Sequence, residues 1–142
     1  MHLASDAEFT INAMQLLIRK ARKEDSRTPH VYIFTDNVNW ATRSIVDPFR
    51  TRNHSDFVPY TLSRLSHGSR TKHGTSSRQC LFPASTSTYG WWLAFLSRGQ
   101  RVYYNREYAS PGAHADEFSP EDFWPQHWIP LHAYRRNHVV EL

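Results

Sequence analysis

Residues 81–105 read LFPASTSTYGWWLAFLSRGQRVYYN, and the order of residue types in this stretch sets the fold class. Leu81 and Phe82 begin an apolar strand, and Pro83 to Thr88 form a turn crowded with hydroxyls. Tyr89 to Leu96 make a dense apolar helix that stops at Ser97, Arg98 and Gly99, with a cation and a glycine where a helix end favours them. Val102, Tyr103 and Tyr104 open the next strand. Strand, loop, helix, strand is one βαβ unit of an α/β domain. Its loop lies at the carboxyl end of a strand and the amino end of a helix, where free backbone N–H groups and the positive end of the helix dipole favour a phosphate. Ser85, Thr86, Ser87 and Thr88 bring further donors to the same place.

The string STSTYGWWLAFLSRGQRVYYN closely resembles the last shared motif of the α-1,2-fucosyltransferases, in particular their divergent nematode branch. That motif reads roughly Ser-Ser-Thr-Phe-Gly-Trp-Trp-x-Ala-Tyr-Leu before a Val-Tyr strand. The resemblance implies the Rossmann-like donor-binding domain of a GT-B glycosyltransferase. It also implies transfer of L-fucose from GDP-fucose to the 2-hydroxyl of a galactose-terminated glycan, with inversion, without a metal or other cofactor, at the Golgi membrane. On this reading Ser85, Thr86, Ser87 and Thr88 contact the donor diphosphate, while Tyr89, Gly90, Trp91 and Trp92 set the loop. The plainer alternative makes the tryptophans part of a buried core.

Length supports one domain with a single core, residues 1–142. A complete enzyme of the resembling type needs two such domains and an anchor, so the chain is expected to be the donor-binding part alone. No stretch of about 18 apolar residues occurs, and MHLASDAEF has no signal-peptide core. Any membrane attachment is therefore expected from a segment outside these residues. Cys80 is the only cysteine, which rules out an internal disulfide.

Toward the amino terminus, Ser5 and Glu8 have capping-box spacing. Phe9, Ala13, Leu16, Leu17 and Lys20 then predict a helix over 6–23, with Asn12, Gln15, Arg19 and Arg22 on a face offset from theirs. His30 to Phe34 predict a buried parallel strand. Thr35, Asp36 and Asn37 close it, and a short helix carrying Trp40 follows over 38–45. The run VYIFTDNVNW is similar to a fucosyltransferase stretch in which a strand ends in two acids. Asp36 falls on the first acidic position and Asn37 replaces the second. Asp36 is then a contact for the donor nucleoside or, as plainly, the N-cap of the following helix.

The net charge of +4 is concentrated in residues 50–80, which hold six cations against one anion, whereas the other eleven cations and twelve anions nearly balance. Residues 47–80 show neither a strand nor a helix period, and a connection of that length counts against a tidy assignment. An irregular or disordered basic insertion is expected. Nucleic-acid binding would need interleaved aromatics or a docking motif, and neither is present. His67, His73 and Cys80 lack zinc-site spacing and a fourth ligand.

Ser119-Pro120-Glu121-Asp122 starts a helix, with proline at its first position. The aromatics that follow, Phe123, Trp124 and Trp128, resemble the family's Pro-rich closing segment and should pack the chain end on the sheet. The family's Arg-bearing phosphate motif and acceptor domain have no counterpart in these residues. The chain alone is therefore expected to bind GDP-fucose weakly without turnover. A non-catalytic fucosyltransferase-like fragment or interaction module is the competing expectation.

Overall fold

The structure, a computed structural model, describes residues 6–52, 58–64, 80–84, 88–96, 100–107, 119–133 and 139–141. The chain divides into two compact units, Leu17–Ser76 and Met1–Leu16 with Ser77–Leu142. The division falls within the first helix, α1 (Ala7–Glu24). The aspartate before α1 caps it: Asp6 Oδ1 accepts the Glu8 N–H at 2.9 Å and Thr10 Oγ1 donates to the Asp6 carbonyl at 2.8 Å. The Glu8 N–H assigned to Ser5 by the capping-box reading is thus taken by Asp6, two residues away; Ser5 lies outside the described residues. Ile11, Asn12, Ala13 and Met14 are all buried, so one full turn of α1 is enclosed. That places Asn12 away from the polar face expected of it, and a solvent-facing stripe resumes only at Arg19.

In the unit Leu17–Ser76, β1 (Val31–Thr35) pairs in parallel with β2 (Tyr60–Arg64), Val31 opposite Tyr60 and Thr35 opposite Arg64. Parallel neighbours need a crossover, and helices supply it. After β1, α2 (Val38–Ala41) runs through a π turn (Thr42–Val46) into α3 (Asp47–Arg52). The π turn has a local cause. Pro48 has no N–H for the Ser44 carbonyl and its ring would press on that group, so the helix widens just before it. The Asp47 N–H accordingly reaches back to the Thr42 carbonyl. Leu17, Ile18, Ala41, Ile45, Val46, Phe49 and Val58 are the buried apolar residues described in this unit. In the turn after α1, hydrogen bonds from the Arg27 side chain and backbone lower the Asp25 pKa from 3.8 to about 2. The benefit is present above the ordinary carboxylate range and lost as pH falls toward 2. Because the pair is on the surface, it contributes little.

The stretch 50–80, expected to be irregular or disordered, contains the end of α3, all of β2 and the first residue of β3, Cys80. Tyr60 and Leu62 alternate with Thr61 and Ser63 for only five residues, a period too short to stand out among the surrounding hydroxyls and cations. Residues 53–57 and 65–79 lie outside the described residues.

The second unit holds a four-stranded sheet in the order β3 (Cys80–Ala84), β4 (Gln100–Asn105), β5 (Ile129–Ala133), β6 (Val139–Glu141). The first three strands are parallel and β6 is antiparallel to β5. α4 (Thr88–Leu96) connects β3 to β4, so the βαβ unit expected from 81–105 is present. α5 (Pro120–Phe123) precedes β5. Central β4 buries Val102 and Tyr103 on opposite faces. On the Val102 face, Ala94, Trp124 and Trp128 complete a buried cluster against which Trp91, Tyr104 and Phe123 pack. The closing aromatics do pack on the sheet, and the chain also continues into it. Three prolines argue against a strand in this region, yet Ile129–Ala133 pairs with β4, Tyr104 lying opposite Pro130.

The mixture of helices with small, mainly parallel sheets is the α/β class expected.

Candidate functional site

The candidate site is the carboxyl edge of β3–β4–β5. β3 ends at Ala84 and α4 begins at Thr88. A helix that follows a strand in a βαβ unit starts at that strand's carboxyl end, so the first turn of α4 opens onto this edge. Thr88 and Tyr89 are exposed there, and Gly90 is buried. No charged residue occurs in α4, which leaves the positive end of its dipole uncompensated from within the helix. Ser85, Thr86 and Ser87 lie outside the described residues.

Trp91 is committed to the core. Its indole N–H donates to the Phe123 carbonyl at 2.8 Å. Its ring stacks on Phe95 at 5.0 Å with a 13° interplanar angle and meets Trp128 at 5.5 Å. Tyr104 and Trp124 stack at 4.4 Å alongside. Trp91 therefore fixes the first turns of α4 from beneath, while Trp92, 55% exposed, faces outward. Trp91 thus packs on the core cluster, as the plainer alternative expects, and Trp92 does not.

Asp36 stands in the other unit, at the carboxyl end of β1, and is exposed. It has no hydrogen-bond partner among the described residues. The N-cap role considered for it belongs to its neighbour: Asn37 Oδ1 accepts the Trp40 N–H at 3.0 Å, and the Asn37 N–H is itself held by Thr35 Oγ1 at 3.1 Å. Asn37→Ala should cost this unit about 1 kcal/mol, within the usual range for losing such a cap. Urea denaturation of the variant beside Asp36→Ala checks this, and equal losses would show that Asn37 is not the operative cap.

One arrangement escaped sequence reasoning. Just beyond β4, Glu107 Oε1 lies 2.9 Å from Nδ1 of His132 on β5. The two residues are far apart in sequence, and only the parallel register of β4 and β5 brings them together. With β5 unrecognised, no short-range signal could have found the pair. Among the described residues no group of three or more His, Cys, Asp or Glu side chains is placed to hold a metal ion, and no helix is long and apolar enough to cross a membrane.

Comparison with known proteins adds relatives. Over 134 residues the chain is 30% identical to svh-11 of Caenorhabditis elegans, provisionally named a galactoside 2-alpha-L-fucosyltransferase, covering 90% of this chain and 36% of that protein. Two further C. elegans proteins carry the name galactoside 2-alpha-L-fucosyltransferase outright. One is 29% identical over 92% of this chain and 37% of its own length; the other is 23% identical over 98% and 38%. The chain is related to the nematode galactoside 2-alpha-L-fucosyltransferases. It spans between a third and two-fifths of the length of these relatives. No family model matches it, and no solved structure matches it significantly.

Proposed function

We propose that this chain is the donor-binding part of a fucosyltransferase, a Rossmann-like domain of the GT-B type. It would hold GDP-fucose for transfer of L-fucose to the 2-hydroxyl of galactose on a glycan acceptor, without a metal, in a protein of the Golgi membrane. The observation that carries this reading is the exposed first turn of α4 at the carboxyl edge of a parallel sheet, in a sequence where every residue from Ser85 to Thr88 bears a hydroxyl. Backbone N–H groups, hydroxyls and dipole all favour the same guest, a diphosphate. The names of the relatives support fucose as the sugar, and the nucleoside rests on the resemblance of the motif alone. Asp36 is assigned to the nucleoside on family resemblance alone.

In this reading the chemistry is electrostatic. The diphosphate leaving group gains charge as the glycosidic bond breaks, and donors already aimed at it lower the barrier. Titration of the chain with GDP and with GDP-fucose, followed by tryptophan fluorescence, tests the proposal, because Trp91 and Trp92 lie on the first turns of α4. Saturable quenching with both ligands is the expected result. A folded chain that ignores both would leave the second reading, a non-catalytic interaction module, which the exposed apolar face of α4 (Tyr89, Trp92, Phe95 and Leu96) favours.

A further inference from the structure

The edge that carries the first turn of α4 also carries the Glu107–His132 pair, and several contacts aim it. The Arg106 N–H donates to the Leu131 carbonyl at 3.0 Å, and the Glu107 N–H donates to Asn105 Oδ1 at 2.9 Å. Asn105 is itself in register with Leu131. The backbone on both sides of the pair is thereby tied down. With the Glu107 carboxylate at Nδ1, that nitrogen keeps its proton, and Nε2 is the basic nitrogen of the neutral ring. The side chains remain 39% and 53% exposed, so the pair lies open to solvent.

Position in the sheet makes the pair more than a surface contact, which by itself would add little. Alternate residues of a strand share a face. His132 therefore lies on the same face as Pro130 and its partner Tyr104. Tyr104 packs with Val102 against Ala94 of α4, so this is the face that α4 covers. The first turn of α4 follows β3, and His132 lies on β5, two strand spacings or about 10 Å across the sheet. A diphosphate at the helix end would leave room for one sugar ring between itself and the imidazole.

We propose that His132, oriented by Glu107, accepts the proton of the acceptor hydroxyl during sugar transfer; this rests on the donor-binding reading above. The acceptor oxygen bonds to C1 of fucose as the bond from C1 to the diphosphate oxygen breaks. GDP leaves with that electron pair, and the hydroxyl proton passes to Nε2. Glu107 stays ionised and steadies the imidazolium, which makes it a positioning residue.

The test uses the whole chain labelled with 15N-histidine. Long-range 1H–15N spectra should show His132 as the Nδ1–H tautomer when neutral, and Glu107→Gln should shift it toward Nε2–H. GDP-fucose should perturb the His132 ring and slow its modification by diethyl pyrocarbonate several-fold, whereas GDP alone, which lacks the sugar, should do much less. If fluorescence shows GDP-fucose binding but His132 reacts as before, the inference fails and the donor reading survives. If neither nucleotide binds, both fall together. An Nε2–H tautomer with Glu107 intact also overturns the inference.

Discussion

Trp128→Ala is expected to destabilise the β3–β6 unit by about 3–5 kcal/mol, the range for deleting a large buried aromatic. Trp128 is 4% exposed and meets Trp91 at 5.5 Å and Trp124 at 5.8 Å. Truncation would open a cavity beside Ala94 and Val102, the two small members of the cluster, and neither can grow to fill it. The Trp91 ring would also lose the neighbour that, with the Phe123 carbonyl, holds it in place. Against a total of about 5–15 kcal/mol for an ordinary domain, and less for a small one, such a loss is large. Trp92→Ala is the control. It removes the same side chain from the same aromatic region, but at a position 55% exposed, so its cost should be a small fraction of that figure. Urea midpoints from far-ultraviolet circular dichroism decide the matter. Similar midpoints for the two variants would mean that the aromatic cluster is not the core of the unit.

What the sequence disclosed, and what it hid, divides along the range of the interactions concerned. The βαβ unit was legible because each element carries its own local signal: an apolar entry, a hydroxyl turn, an apolar helix and a Val-Tyr-Tyr strand. α1 was legible for the same reason, although its cap moved from Ser5 to Asp6, since either side chain can serve and only geometry chooses. Asn37 displaced Asp36 as cap of α2 by one position for a similar cause. β2 was hidden because Tyr60 and Leu62 earn their places through pairing with β1, a contact made over some thirty residues of chain. β5 was hidden because Pro130 weighs against any strand, and pairing with β4 overrides it. The Glu107–His132 pair depends on that same hidden strand, so it could not be seen before the register was known. The proposed site is therefore half legible: the phosphate contacts proposed for it rest on consecutive hydroxyls in the sequence, whereas the Glu107–His132 pair exists only in the sheet.

Thr88→Glu should separate function from structure, because the two predict effects of opposite sign. Thr88 is the first residue of α4 and is exposed. A carboxylate in the first turn complements the helix dipole, so stability should hold or rise by about 0.3–1 kcal/mol. If the diphosphate of GDP binds at this turn, however, the variant loses a hydroxyl donor to a charged group, worth roughly 1.5–3 kcal/mol. It also sets a negative charge against the ligand, and two like charges about 4 Å apart near a protein surface repel by up to about 4 kcal/mol. The repulsion exceeds the gain to the helix and acts only on the bound state. Affinity for GDP should fall by at least about 100-fold, which is close to 3 kcal/mol, while the urea midpoint stays level or climbs. Thr88→Ala, which removes the donor without adding charge, should fall between the variant and the parent. Raising the salt concentration should narrow the gap between Glu and Ala, since screening weakens an exposed repulsion. Unchanged GDP binding by a stable Thr88→Glu chain would place the phosphate elsewhere and withdraw the first turn of α4 from the site.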